Sequence, residues 1–419
     1  MAAILRSNAP LRRLLGGWLQ SCVGTGAGYV ALLLLTTRYL HTSWAVAAVL
    51  LCDLLPTIAL GFWFGAFADR YSKRLVIVVA SLLQAAAFGG LALTHRAVPI
   101  FLLALLAGVG AAMEAPALRS SLPAIAGEDS QVAGAIYETC RSIGVTVGPA
   151  VAAGLVAVSG VALPLALNGL SFVVAAGVFA TVAIDAPAPV GSTDREAGLG
   201  VAAGLKTAFA SPLIVALIAS SAGVFLAAAL LNVSEPFLAT RVLHGSGSDY
   251  ALLVTAYGVG MVVASVLLAR SGAVGANVLI HRYISALVLI AVGMSGSAIV
   301  GNIPSAALTF AATGVGNALM FVSQTQLILL LVPSAVQGRL FGGRDAVNAS
   351  ALLLGLVFAG ALVAGLGVRV TLGAGAAICG LCALAATAAM LGRKPQTPPP
   401  DGAPQHTRTG FVDVLRTFP

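Results

Sequence analysis

Four carboxyls and one guanidinium lie within otherwise apolar stretches: Asp53, Glu114, Glu138, Glu235 and Arg141. An unpaired charge in such a setting costs about 2.5–3.5 kcal/mol on insertion scales, so each should meet a partner or a water-filled space. The chemistry open to them is proton uptake and release, or electrostatic contact with a polar cargo. Glu138 and Arg141 are three residues apart and share one helix face. Glu114 falls at a similar depth, so a Glu114–Arg141–Glu138 cluster is expected, either as a tie between two helices or as a proton-exchanging site. Asp53 lies nine residues into its span, about 13 Å deep, which suits a proton carrier or a hydrogen-bonded packing residue. Glu235 comes late in its span and reads as a rim residue, while Gln324 and Gln326 could line a cavity with neutral donors.

Other chemistries find no residues. No Walker-type loop, metal-spaced histidine set or nucleophile constellation occurs, so neither an enzyme nor a cofactor or metal site is expected. The five cysteines, including the C-x-x-C of Cys379 and Cys382, sit in apolar runs and read as small packing residues.

The elements that must position these groups are membrane spans. Of 419 residues, 59% are hydrophobic and 9% charged, against about 25% charged in a soluble domain. Apolar windows between charged or Pro/Gly breaks give twelve spans. The first six are 14–37, 44–64, 75–94, 98–118, 133–158 and 161–184. The second six are 213–239, 250–269, 278–299, 303–331, 341–366 and 370–391. The division is therefore a six-helix bundle over 1–184, a cytoplasmic linker over 185–211, a second bundle over 212–391 and a disordered tail over 392–419. Arg6, Arg12 and Arg13 precede a run too long for a signal-peptide core, so the first span is read as uncleaved.

With both termini inside, 17 Lys/Arg fall on the cytoplasmic side and four (Arg38, Arg96, Arg241 and Arg369) outside, with Arg141 within a span. That asymmetry sets the orientation. It also accounts for the net charge of +8 without invoking nucleic acid. Abundant Arg, Ala and Gly point to a bacterial inner membrane. The halves repeat: Gly108-Val109-Gly110 answers Gly314-Val315-Gly316 and Trp44 answers Tyr250, each 206 residues on, and Leu122-Pro123 answers Val332-Pro333. Parallel six-span repeats place a substrate site between the halves near the midplane.

The hairpin at 65–74, GAFADRYSKR, resembles the signature loop of the major facilitator superfamily, G-x-L-A-D-R-x-G-R-R. Phe67 and Ser72 depart from it mildly. The resemblance implies a cytoplasmic latch in which Gly65 allows close approach. Asp69, with Arg70, Lys73 and Arg74 beside it, would face the start of span 11 near Arg339 and Arg344. Gly144-x-x-x-Gly148-Pro149 resembles part of the antiporter motif of drug exporters, which implies close packing of spans 5 and 8 and a bend at the proline. Ala115-Pro116-Ala117, Ser120 to Pro123 and Gly338 to Gly342 are similar to the drug:proton antiporter branch with macrolide and enterobactin exporters, although span 1 has no acid.

The expected protein is an all-α polytopic membrane protein of major facilitator fold, monomeric in the lipid bilayer. It would export an amphiphilic small molecule (drug, secondary metabolite or siderophore) in exchange for protons. The alternatives are uptake or lipid-type transport without proton antiport, and a non-transporting membrane sensor.

Overall fold

A backbone crossing hydrocarbon must satisfy its own polar groups, and this chain does so with helices throughout. The computed structural model describes residues 8–70, 72–182, 212–270, 274–332 and 334–390. The expected linker and tail lie outside these residues. The first half holds α1 (Ala9–Leu40), α2 (Ser43–Arg70), α3 (Lys73–Leu93), α4 (Ala97–Ala126), α5 (Ser130–Ser159) and α6 (Ala162–Ala180). The second holds α7 (Pro212–Phe237), α8 (Gly247–Arg270), α9 (Ala276–Ile299), α10 (Ile303–Leu331), α11 (Ser334–Leu366) and α12 (Val368–Met390). Among the described residues there is no strand. Eleven of these helices are long and apolar enough to span a membrane, and in α2 the described apolar run is Ser43–Thr57. The protein is a multi-pass membrane protein.

Several helices outrun their apolar windows. A hydropathy window marks hydrocarbon, whereas a helix continues into the polar boundary as long as its end is capped. Thus α1 begins at Ala9 because Asn8 Oδ1 accepts the Leu11 N–H at 2.9 Å and Pro10 pre-sets the first turn. The start of α10 repeats this with Asn302 and Pro304, the Asn302 side chain accepting from Ser305 at 2.9 Å. At the other end of α7, a π-helical turn (Leu238–Val242) follows Pro236 and lengthens the span.

Helix packing repeats between the halves. α1 packs on α5 and α6, α2 on α4, and α3 on α4 and α6; six helices later α7 packs on α11 and α12, α8 on α10, and α9 on α10 and α12. The fold is two pseudo-symmetric six-helix bundles, joined mainly by α5 on α8 and α2 on α11. Glycines show the repeat at atomic detail. A Cβ on Gly110 would meet the Ala80 carbonyl and the Gln84 side chain; one on Gly316 would meet the Ala286 carbonyl and Ile290. Each of those partners is displaced by the same 206 residues as the glycines themselves. We call the face where α1 begins and α12 ends the terminal face, and the opposite one the distal face.

Candidate functional site

A cavity of about 470 Å³ lies between the bundles, walled by α1, α5, α7, α8, α9 and α10. That volume suits a small organic ligand. The α1–α5 wall is closely built: a Cβ on Gly26 would strike the Gly144 carbonyl, and one on Gly148 would strike Gly26. Gly144 and Gly148 therefore seat α1, which corrects the expectation that they serve the α5–α8 contact. The α5–α8 crossing uses Thr146 against Gly258 instead. Pro149 lines the cavity one residue beyond. The wall is mostly apolar; Glu235 is its one acid and Arg141 its one cation among the described residues.

Glu235 is not at the rim. It is 6% exposed and lines the cavity, because α7 runs on through the π turn to Val242 and leaves this carboxyl about 10 Å inside the helix end. The Tyr250 hydroxyl, fully buried behind it, donates to Glu235 Oε1 at 3.0 Å. Beside it on the wall, Asn317 Nδ2 donates to the Tyr257 hydroxyl, and Asn317 Oδ1 has no partner among the described residues. Tyr29 on α1 lies 206 residues before Glu235 and completes the distal part of the wall.

Toward the terminal face the site is basic. Glu138 accepts from Arg119 at 3.2 Å and from Arg141 at 2.8 Å. The Arg141 side chain is 58% exposed, so this end of the cavity meets solvent. Trp18 stacks on Tyr137 at 4.7 Å, and the Arg119 guanidinium lies 5.7 Å from the Tyr137 ring centre. The expected cluster is thus corrected: Arg119, not Glu114, is the third member. The two residues are five apart, about 140° around α4, and point to different neighbours. Glu114 faces α3, 3% exposed, with Ser81 Oγ donating to Oε1 at 2.6 Å and Gln84 Nε2 to Oε2 at 2.8 Å. It ties α3 to α4 away from the cavity wall.

The remaining candidates scatter. Asp53 is half-buried on α2, with Gly108 packed against its carbonyl, and is not part of the described cavity wall. Gln324 is buried and donates to the Leu217 carbonyl at 2.8 Å, tying α10 to α7, whereas Gln326 is exposed. Two residues apart on a helix they point about 200° from each other, so they cannot line one wall together. Lys73 Nζ donates to the Ser120 carbonyl at 3.0 Å, and Arg74 is exposed. Arg344 pairs with the adjacent Asp345 at 2.7 Å and lies over Phe341. Gly65 and the side chains of Asp69, Arg70 and Arg339, and with them the core of the latch, lie outside those described.

At the distal face the bundles touch. Ser43 Oγ on α2 donates to the Gly360 carbonyl on α11 at 2.8 Å, and Arg241 donates to the His41 carbonyl at 2.8 Å. Gly247 packs against Leu34 and Val156 across the same junction. The cavity is closed on that side.

The Transmembrane secretion effector family matches residues 8–407. The Staphyloferrin A transporter of Staphylococcus aureus (strain NCTC 8325 / PS 47) is 30% identical over 147 residues, 32% of this chain and 36% of that protein. The chain therefore matches about a third of that relative's length. Among solved structures, the nucleoside transporter NupG superposes with a TM-score of 0.70 at 15% identity, covering 91% of this chain and 100% of that one. A POT family transporter in complex with 5-aminolevulinic acid gives 0.69 at 12% identity, covering 90% and 95%. An inward-facing bacterial homolog of the human lysosomal transporter Spinster gives 0.64 at 14%, covering 91% and 96%. These likenesses show the fold.

Proposed function

The chain belongs to the transmembrane secretion effector family of major facilitator transporters, and from that premise we propose that it exports an amphiphilic small molecule across the bacterial inner membrane in exchange for protons. The observation that carries this reading is the cavity between the bundles: apolar over most of its wall, with a single carboxyl, Glu235, set deep within it. The terminal face is read as cytoplasmic, from the excess of Lys and Arg on that side. The closed distal junction then makes this the cargo-loading state. The protein works as a monomer in the bilayer, on the branch that includes macrolide and enterobactin exporters.

Alternating access requires that cargo and proton bind the two conformations with different affinity, since a ligand shifts an equilibrium only by its differential affinity. A carboxyl on the cavity wall can do this. It is loaded with a proton while the cavity faces outward and releases it inward before the next cargo is taken up. Glu235 is the acid placed to do so, with Asp53 on α2 as the second candidate. Glu114 is held by two neutral donors on α3, and Glu138 is paired with two guanidiniums. The charged hairpin, with Asp69 toward the start of α11, latches the cytoplasmic ends when the transporter faces outward.

Everted vesicles with a preformed pH gradient test the reading. A cargo dye should collapse the gradient with the wild type and not with Glu235→Gln. Dye accumulation with no pH response, across a broad panel, would sink proton exchange. Retained collapse in Glu235→Gln and loss in Asp53→Asn would move the carrier to Asp53.

A further inference from the structure

We propose that the distal end of the cavity is a recognition subsite for a primary or secondary ammonium group, so that the cargo is an amphiphilic amine bearing N–H donors. The inference rests on the transport reading above and specifies its substrate class.

Two acceptors on the wall are left over once the protein's own bonds are made. Asn317 is 9% exposed; its amide nitrogen is used on the Tyr257 hydroxyl, and its Oδ1 has no donor among the described residues. Glu235 is 6% exposed; Tyr250 donates to Oε1, and Oε2 has no protein partner among the described residues. A buried acceptor without a donor, as Asn317 Oδ1 is, is destabilising, and a native site tolerates it where a ligand supplies the hydrogen; Glu235 adds a carboxylate on the same cavity wall. Both acceptors line one cavity, from α7 and α10. A group offering N–H donors and a positive charge matches the chemistry of both. A carboxylate or an ether oxygen would satisfy neither.

The far end of the cavity fixes the orientation. There Arg119 and Arg141 face one carboxylate, Glu138, and the set carries a net positive charge that repels an ammonium. Between the two ends the wall offers Val145, Val224, Leu231 and Ile290. An apolar body can lie along these residues with its ammonium at Glu235. A quaternary ammonium keeps the charge but has no N–H, so the arrangement should discriminate against it.

The test is direct binding to the purified full chain in maltoside micelles, without a pH gradient. The probes are 4-phenylbutylamine, its N,N,N-trimethyl analogue, 4-phenylbutanol and 4-phenylbutyrate, titrated calorimetrically. The amine should bind about tenfold or more tighter than the other three, the size expected for hydrogen bonds to a charged group. In Asn317→Leu the preference over the trimethyl analogue should shrink to about threefold, and in Glu235→Gln the amine should bind no better than the alcohol. The wild-type series decides by itself if a variant fails to fold. Equal or tighter binding of the trimethyl compound or the butyrate, or no amine binding at all, overturns the subsite. Amine preference in a protein that shows no proton exchange in vesicles would overturn the coupling and leave the subsite standing.

Discussion

The distal closure offers a perturbation whose size can be worked out. Two hydrogen bonds join the bundles there, Ser43 Oγ to the Gly360 carbonyl and Arg241 to the His41 carbonyl, each 2.8 Å. Both must break for the cavity to face the distal side. Ser43 is buried, and replacing it with alanine removes about 1 kcal/mol of closed-state stabilisation. The Arg241 bond is charge-assisted but exposed, so solvent reduces it to a similar figure, about 1 kcal/mol. The two bonds share no partner, so Ser43→Ala and Arg241→Leu together should shift the equilibrium by about 2 kcal/mol, roughly thirtyfold. Cys22 on α1 lines the cavity and reports the shift. In a variant keeping Cys22 as the sole cysteine, an impermeant maleimide added from outside right-side-out vesicles should label it about thirtyfold faster once both bonds are removed. Labelling from the cytoplasmic side, in everted vesicles, should change little. An outside rate within about threefold of the parent, in a double variant that remains folded, would refute the idea that these bonds hold the closed state.

Further outcomes follow from the packing. Gly148→Val places branched carbons on the Gly26 backbone and should cost about 1–3 kcal/mol, read as a lower melting temperature in detergent, whereas Gly134→Ala, in a helix with open space around it, should stabilise by up to about 1 kcal/mol. Glu114→Gln keeps both contacts, its Oε1 accepting from Gln84 and its N–H₂ donating to the Ser81 hydroxyl, which turns to accept, so it should change stability by less than about 1 kcal/mol and leave gradient collapse intact; lost coupling in a folded Glu114→Gln protein would make it a carrier. Asp69→Asn should lose more transport than Lys73→Ala, since Lys73 makes a local bond to the Ser120 carbonyl; equal, small losses would leave the hairpin as a topology anchor.

Composition and periodicity carried the fold a long way. Charge asymmetry and apolar windows gave twelve spans, because hydrocarbon imposes length and helicity on any segment that crosses it. The site was less legible, for three local reasons. Glu235 looked peripheral because a hydropathy window ends where polarity begins, while α7 continues beyond Pro236 as a π turn. Glu114 was grouped with Arg141 by depth alone, yet depth does not fix azimuth, and five residues along α4 turn the side chain to another neighbour. Gly144 and Gly148 were recognisable as a crossing, but a small-residue stripe does not name its partner. Its partner became visible only through Gly26 on α1. The missed distal subsite had a faint signal: Asn317 sits three residues after Gly314, the glycine that lets α10 approach the Tyr257 backbone.

The repeat itself separates scaffold from chemistry. Where two copies of a six-helix unit keep the same contacts, the residues there serve packing common to both; Gly110 on Ala80 and Gly316 on Ala286 are such a pair. Function needs the copies to differ, because a two-fold symmetric cavity would offer every cargo two equivalent poses and two equivalent carriers. The differences fall at the cavity. Tyr29 and Glu235 occupy positions 206 residues apart, one neutral and one acidic, and both line the wall. Exchanging one pair, as Tyr29→Glu with Glu235→Tyr, would keep the cavity's charge and reverse the bundle that carries it. If the acid alone drives coupling, the exchange should retain gradient collapse. If the amine also needs Asn317 on α10, cargo binding should fall while proton movement persists. Loss of both in a folded exchange variant would mean that position within the bundle, and not charge in the cavity, sets the coupling.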